Sequence, residues 1–485
     1  MARFLDVWKQ FPRNFWTANT MELLERLAWY GMFIMLANYL TGSKDTGALG
    51  FSQSQKALMM STLAGLVYFL PILTGAIADR IGYKKVLITA YIILASGYFA
   101  LASFKTFIPI YLSFIYLAVG AALFKPVISA TISKSTNDET SSIGFGIFYM
   151  IVNIGAFIGP FLGAKLKVIS YDYVFYLSSA SILLNLVLVL LFFREPTHPS
   201  ETKGNRAWKE ILAEAFRTIW IGMKDIRFMV FLVIIAGFWS MYNQLFYTFP
   251  VFIDQWVDLH RFYQDVYVLS PTLAQWLGNG QGKIESEMLV NSDALFIVLF
   301  QVLVSSWVMR FKPLNSMIGG IFVSSIGIGL TMLTNQPFFM LMSILIFALG
   351  EMASSPKILE YIGKIAPADK VGLYMGFSYF PHFIGNILAG VLSGPVYEKM
   401  SDKYFLLNEE LDKRNIDLPA ISDSYTQNDF FIDAAQQMEM TPRELTDFLF
   451  VHYNPSSIWM VFTGIGLAAV LALIAYDRWI IPRQS

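Results

Sequence analysis

Cysteine is absent from the 485-residue chain, which excludes disulfides and thiolate metal sites. Charge is scarce: Asp, Glu, Lys and Arg make up 14% of residues, where soluble domains carry about 25%. The 35 bases balance 35 acids, so there is no basic footprint for nucleic acid. The four histidines, His198, His260, His382 and His452, are scattered, and no metal or nucleophile constellation forms around them. Neither an enzyme nor a bound cofactor is expected. What is abundant is apolar: 55% of residues are hydrophobic and the mean hydropathy is +0.53. This composition belongs to an all-α integral membrane protein with many crossings of the lipid bilayer. Arg3, Lys9 and Arg13 precede the first apolar segment without a small-residue cleavage site, so the start reads as retained, not as a signal peptide.

Twelve apolar segments are long enough to span. They lie near 14–40, 56–78, 86–104, 107–133, 142–168, 172–193, 228–256, 288–309, 314–334, 337–363, 371–397 and 456–480. Loop charge supports the count. Arg80, Lys84 and Lys85, the 194–227 linker, Arg310 and Lys312, Lys364 and Lys370, and Arg478 and Arg483 all fall on one side together with the N-terminus. The other side holds segment 398–455, with twelve acids against five bases. Lys and Arg mark the cytoplasmic side, so both termini are expected inside a plasma (bacterial inner) membrane. The organisation read from this is a six-helix half over 1–193, a linker over 194–227 and a second half over 228–485. The linker carries a short amphipathic pattern (Trp208, Ile211, Leu212, Ala215, Phe216, Ile219). Two similar six-helix halves are the arrangement of major facilitator transporters, whose sites lie between the halves near the midplane. The outer loops 257–287 and 398–455 are long and are expected to form a small cap, with a helix near 439–449 opened by Thr441, Pro442 and Glu444. Gly278-Asn-Gly-Gln-Gly282 is read as a turn, since no strand precedes it and no Lys-Ser/Thr follows.

Within the first segment Glu22, Glu25, Arg26, Trp29, Tyr30 and Phe33 recur at helical spacing and form one stripe. A charge at mid-bilayer costs roughly 2.5–3.5 kcal/mol, so these three charges must face protein or water. They serve either function or a static ion-pair cluster that locks helices. At about 1.5 Å per residue from the basic side, Glu22 lies roughly 12 Å deep, Lys125 about 13 Å, Arg26 and Asn153 about 18 Å, and Glu351 around 10–20 Å. Asn243 and Asp293 lie about 22–26 Å deep, with the stripe Trp239, Tyr242, Phe246 and Tyr247 beside Asn243. Lys125 needs a carboxylate partner, for which Glu22, Glu25 and Glu351 are candidates. A Lys125–Glu351 pair that breaks and reforms would gate the cavity, as would Asp79 and Arg80 in the turn after segment two. Glu22, Glu25, Glu351 and Asp293 outnumber Arg26 and Lys125 by two, so the cavity is expected to take up protons, a ligand ammonium, or both. Gly155, Gly159 and Gly163, four residues apart, predict a close-packing face.

At these residues the sequence resembles the proton-dependent oligopeptide transporter family of the major facilitator superfamily. Glu22-x-x-Glu25-Arg26-Leu27-x-Trp29-Tyr30 is similar to that family's helix 1 signature. Phe124-Lys125-Pro126 is similar to its helix 4 motif, and Phe148-Tyr149-x-x-x-Asn153-x-Gly155 to its helix 5 motif. Gly350-Glu351-Met352-x-x-Ser355-Pro356, followed by Lys364-Ile365-Ala366-Pro367, resembles its helix 10 pattern. The Gly75–Lys85 stretch resembles the broader superfamily loop. The resemblance implies that the helix 1 glutamates take part in proton coupling. Arg26 and Lys125 would hold a peptide carboxylate, and Glu351 would pair with Lys125 or receive the peptide amino group. Tyr30, Tyr68, Asn153 and Trp239 would line the pocket.

The departures concern the substrate end. Leu27 and Trp29 replace the usual aromatic and Tyr, Val127 replaces an Asn and Ser378 replaces a Trp. Phe33 stands for an Arg and Asn243 for an acid that normally pair, while Asp293 stands for an Asn. The reading is a proton-coupled symporter that imports di- or tripeptides, or peptide-like amphoteric solutes, by alternating access, with protons as coupling ion and a monomer sufficing. The alternative is a facilitator of a modified amino acid, an amino sugar or an exported drug; a non-transporting receptor is the remote third.

Overall fold

The computed structural model describes residues 10–137, 140–195, 220, 222–367 and 371–480, and among these it is helical with no strand. The first half opens with α1, Arg13–Thr41, which Gly42 ends by donating its N–H to the Asn38 carbonyl at 2.8 Å. Next come α2, Gln53–Phe69, and α3, Pro71–Ile81. A capping box between Ser52 and Gln55 starts α2. Pro71 lacks an N–H and opens α3, so the second crossing is two helices and not the single one expected. Gly82, at φ +98°, makes the turn into α4, Tyr83–Ser103. Then follow α5, Phe107–Lys134, α6, Ser141–Lys167, and α7, Tyr171–Leu191.

The second half repeats the design with more interruptions. Its first crossing, expected as one segment, breaks at Asn243 and Thr248 into α8, Ile226–Tyr242, α9, Gln244–Tyr247, and α10, Phe249–Trp256. Two loop helices follow, α11, Leu259–Leu269, and α12, Pro271–Leu277. The long helices are α13, Ser286–Val308, α14, Pro313–Leu330, and α15, Pro337–Ile365. The eleventh crossing is split into α16, Val371–Gly376, and α17, Phe380–Val391. A cap of α18, Tyr397–Ser401, α19, Lys403–Arg414, α20, Gln427–Gln437, and α21, Pro442–Tyr453, precedes the last crossing, α22, Ile458–Ala475. Thr441 and Glu444 form a capping box at α21, the start expected from sequence. The amphipathic pattern at 208–219 lies outside the described residues.

Nine helical stretches among the described residues are long and apolar enough to cross a membrane. The three other expected crossings are the charged α1 and the split second and eleventh crossings. Isolated apolar side chains such as Val302 and Leu471 remain 75% and 68% exposed, as a lipid-facing belt requires. Helices are joined by close backbone approach and by hydroxyls. A Cβ on Gly155 would come within 2.7 Å of the Arg26 Cβ, and one on Gly163 within 3.1 Å of the Gly31 carbonyl, so the glycine face of α6 lies on α1. Gly320 of α14 and Gly350 of α15 make the matching contact in the second half. Ser178 donates to the Ala28 carbonyl, Asn185 to Met21 and Ser316 to Ala353, at 2.8–3.0 Å.

The cap ties the halves together at the end that carries the long loops. Asp402 accepts from Gln53 of the first half at 2.8 Å and from Gln255 of the second at 2.9 Å. Asn428 donates to Ser43 and Asp45, and Trp256 to the Ser401 carbonyl.

Candidate functional site

On α1, Arg26 lies between Glu22, 3.2 Å from its Nε, and Glu25, which accepts from Nε at 2.6 Å; all three are buried. The absence of a side chain at Gly155 is what allows α6 to cover this cluster. The guanidinium also lies over the Tyr30 ring at 5.8 Å. Lys125 of α5 stands over the Tyr68 ring at 4.4 Å and within electrostatic reach of Glu22. Tyr68 in turn stacks on His382 of α17 at 4.6 Å, and His382 on Trp239 of α8 at 3.8 Å. An aromatic ladder therefore runs from the basic residues of the first half into the second.

Beside it lies a cavity of about 160 Å³ between the halves. Tyr30, Tyr149 and Asn153 line it from one side, and Tyr242, Phe246, Asn291, Asp293 and Glu351 from the other. Tyr242 lies beside the Glu351 carboxyl, and Asn291 donates to the Phe157 carbonyl at 3.0 Å. Three buried acceptors have no donor: Oδ1 of Asn291, Oδ1 of Asp293 and Oε2 of Glu351. No Lys, Arg or His is among the lining residues. A second cavity of about 560 Å³ begins at Tyr149 and continues toward the end of the bundle that carries the short connections, past Gln301, Ser305, Ser355, Tyr379 and His382.

Of the residues singled out in the sequence, Tyr30, Asn153, Asp293 and Glu351 share the small cavity, and Trp239 lines the larger one. Glu22, Glu25, Arg26, Lys125 and Tyr68 form the basic side of the same region. Asn243 lines neither cavity; it ends α8, with its side-chain nitrogen buried and without an acceptor. The expected Lys125–Glu351 pair is not formed, since Lys125 covers Tyr68 and Glu351 meets Tyr242. The Asp79 side chain lies outside the described residues, and Arg80 is exposed at the end of α3. Phe33 packs on Phe246 and Tyr247 with centroids 5.9 and 6.2 Å apart, an apolar contact between the halves. The sequence reading missed Tyr149, Asn291 and His382 as lining residues. Tyr149 lies four residues before Asn153, a spacing that could have revealed it; Asn291 and His382 carry no such signal.

At the loop end the seam is ionic. Lys167 of α6 meets Glu285 at 3.0 Å and Glu287 at 2.8 Å, and Asn38 donates to Glu287 at 2.9 Å. Lys56 of α2 donates to the Tyr247 carbonyl at 2.9 Å, where the break in α8–α10 exposes it, and to Gln53 at 2.8 Å. Burial pushes the Glu285 carboxyl up, but Lys167 and Lys283 outweigh it and hold the group below the usual carboxylate range. Asp254 raises the Lys283 ammonium. A vestibule of about 680 Å³ adjoins these groups.

Comparison with known proteins agrees with this architecture. The sequence pattern of the Major Facilitator Superfamily matches residues 20–257 and 262–401. The chain is 23% identical to the peptide transporter YePEPT of Yersinia enterocolitica over 442 residues, covering 77% of this chain and 86% of that one. It is 26% identical to a Na(+), Li(+), K(+)/H(+) antiporter of Planococcus maritimus over 339 residues, covering 65% and 75%. The crystal structure of a POT family transporter in complex with 5-aminolevulinic acid superposes with a TM-score of 0.68 at 19% identity, covering 96% of this chain and 97% of that one. With more than half of its length matched by that pattern, the chain belongs to the major facilitator superfamily.

Proposed function

We propose that the protein is a proton-coupled symporter that imports small amphoteric solutes, di- and tripeptides among them, by alternating access. One observation carries the reading: acids without a base in the lining, Asp293 and Glu351, face a cavity between the halves, while the bases Arg26 and Lys125 lie outside that lining on the opposite side, next to its Tyr30 and to Tyr68. That polarity suits a solute with a carboxylate at one end and an ammonium at the other. The likeness to YePEPT and to the transporter solved with 5-aminolevulinic acid supports the same class of solute. The basic loops support cytoplasmic termini, so the larger cavity faces the cytoplasm and the ionic seam faces outward. The protonatable groups of this reading are Glu22, Glu25, Asp293 and Glu351; a monomer contains the whole site, and no cofactor is invoked. An inward pH step of one unit provides about 1.4 kcal/mol, and 100 mV adds about 2.3 kcal/mol per charge. One proton thus supports an accumulation of roughly a few hundredfold.

The test is pH-driven uptake of labelled dialanine and trialanine into proteoliposomes, with wild type set against Glu22→Gln and Lys125→Ala. Uptake that needs an acidic outside and is lost in both variants supports peptide symport. Absence of uptake by folded protein removes peptides from the reading. The antiporter relative motivates a second reading, monovalent-cation exchange at the acids; sodium-driven proton efflux without any organic solute would favour it.

A further inference from the structure

The acidic end of the small cavity holds more negative charge than one ammonium can answer. Glu22 and Glu25 are balanced by Arg26 together with Lys125, all on the basic side. Asp293 and Glu351 have no such balance. The groups that face them are the phenols of Tyr30, Tyr149 and Tyr242, with no base among the residues lining the cavity. Asp293 is only 4% exposed, yet its Oδ1 meets no donor. Oε2 of Glu351 and Oδ1 of the 3%-exposed Asn291 share that condition and the same cavity. Buried acceptors are almost always satisfied, so three on residues that line one cavity leave room for donors that a solute's N–H groups can supply. The walls narrow the choice further. Aromatic faces attract organic ammonium and guanidinium groups.

We infer that this end of the cavity selects solutes with two cationic nitrogens, an α-ammonium and a second amine or guanidinium close to it. The second nitrogen takes the place of one proton on the acid pair. The inference rests on the transport reading above and sharpens its substrate class. For a zwitterionic solute, one ammonium and one proton neutralise Asp293 and Glu351. For a dicationic end, two nitrogens do so, and the solute enters with one proton fewer.

The test measures binding of lysylalanine, dialanine and 1,4-diaminobutane to the full-length protein at neutral pH, in wild type and Asp293→Asn. Proton uptake per solute is followed in proteoliposomes with a pH-sensitive dye. Lysylalanine is expected to bind about tenfold more tightly than dialanine in wild type, and the gap to shrink to about twofold in the variant. Lysylalanine should also carry one proton fewer than dialanine. The wild-type affinity ratio does not depend on the variant folding. Equal wild-type affinities, an unchanged ratio in folded Asp293→Asn, or displacement of lysylalanine by millimolar sodium or potassium would overturn the inference while leaving peptide transport standing. If neither dipeptide binds, the peptide reading falls; binding of 1,4-diaminobutane that is lost in Asp293→Asn would still support a dicationic site, and its absence would overturn it.

Discussion

The two ends of the seam between the halves are closed by different chemistry. At the loop end Lys167, Glu285, Glu287, Asn38, Lys56 and the Tyr247 carbonyl cross it with ionic and hydrogen-bonded contacts, reinforced by the cap through Asp402 and Asn428. Toward the other end the crossing contacts described above are ring stacks, Tyr68 on His382 and Tyr68 beside Tyr379, next to a cavity of about 560 Å³. Stacked rings part without stranding a donor or an acceptor. A buried ion pair does not, because each group left behind must be met by water or a new partner. On the alternating-access reading, the loop end would therefore act as a latch with discrete closed and open states, and the ring end as a soft contact.

The strongest way to break this comparison is Lys167→Ala. It strands Glu287, whose side chain is fully buried, and removal of one partner of a buried pair costs about 3–5 kcal/mol. The closed loop end should lose that much, and a membrane-impermeant maleimide should then label a single cysteine placed at Ser286, on a chain that has no other cysteine. Labelling no faster than in the parent would show that the latch lies elsewhere. Gly159→Leu comes next. A Cβ there would already lie 2.9 Å from the Gly31 nitrogen, so overpacking of about 1–3 kcal/mol is expected as a lower melting temperature by scanning fluorimetry. Gly464→Ala, inside α22 with nothing within 4 Å of the added Cβ, should instead raise stability by about 0.5–1 kcal/mol.

Lys56→Met keeps the bulk but leaves the Tyr247 carbonyl without its donor, an effect of about 1–3 kcal/mol on the latch alone. It should raise labelling at Ser286 less than Lys167→Ala does, and leave the ring end unchanged. The smallest effect is that of pH. Glu285 is held below its ordinary pKa of 4.5, so it binds fewer protons folded than unfolded in the window beneath that value. Its contribution to the latch is complete above pH 4.5 and fades as the pH falls through the lowered value. Lys403 has the opposite cause: burial outweighs the pull of Asp254 and Asp447 and lowers its ammonium to about 8. Above that pH the folded state holds fewer protons there, so the cap should gain stability as the pH rises from about 8 toward 10.5. Hydrogen-exchange protection factors in α19, corrected for the faster intrinsic exchange at higher pH, would report it, and protection that does not rise over that range would contradict it.

Much of the fold was legible because its signals are local. Apolar runs gave the crossings, the spacing of Glu22, Glu25 and Arg26 gave the buried stripe, and Thr441 with Glu444 gave the start of α21. Pro71 marked a break that the hydropathy of the whole segment concealed. The latch was not legible. Lys56 meets a carbonyl freed only because α8–α10 is broken, and its partner is 191 residues away. Lys167 and Glu287 are 120 residues apart, and end-of-helix charges look alike in sequence whether they meet water or one another. The Lys125–Glu351 pairing was expected from the need of a buried lysine for a carboxylate at its depth and from the family resemblance. Neither says which of several acids a lysine faces in a given arrangement of the halves.

The glycine face between α6 and α1 has a consequence for length. With backbone against side chain at Gly155 and against backbone at Gly163, the two helices have no room to slide. Arg26 and Asn153 are therefore held at one spacing by this packing, and under alternating access only Asp293 and Glu351, on helices across the cavity, would change their distance from them. The gap between them is a caliper with a single adjustable jaw. On the proposed transport reading, a solute of fitting span would draw the jaw shut, a shorter one would leave the acids unanswered, and a longer one would prop it open. Discrimination by length would then reside in the stiffness of a helix pair and not in the walls around the molecule.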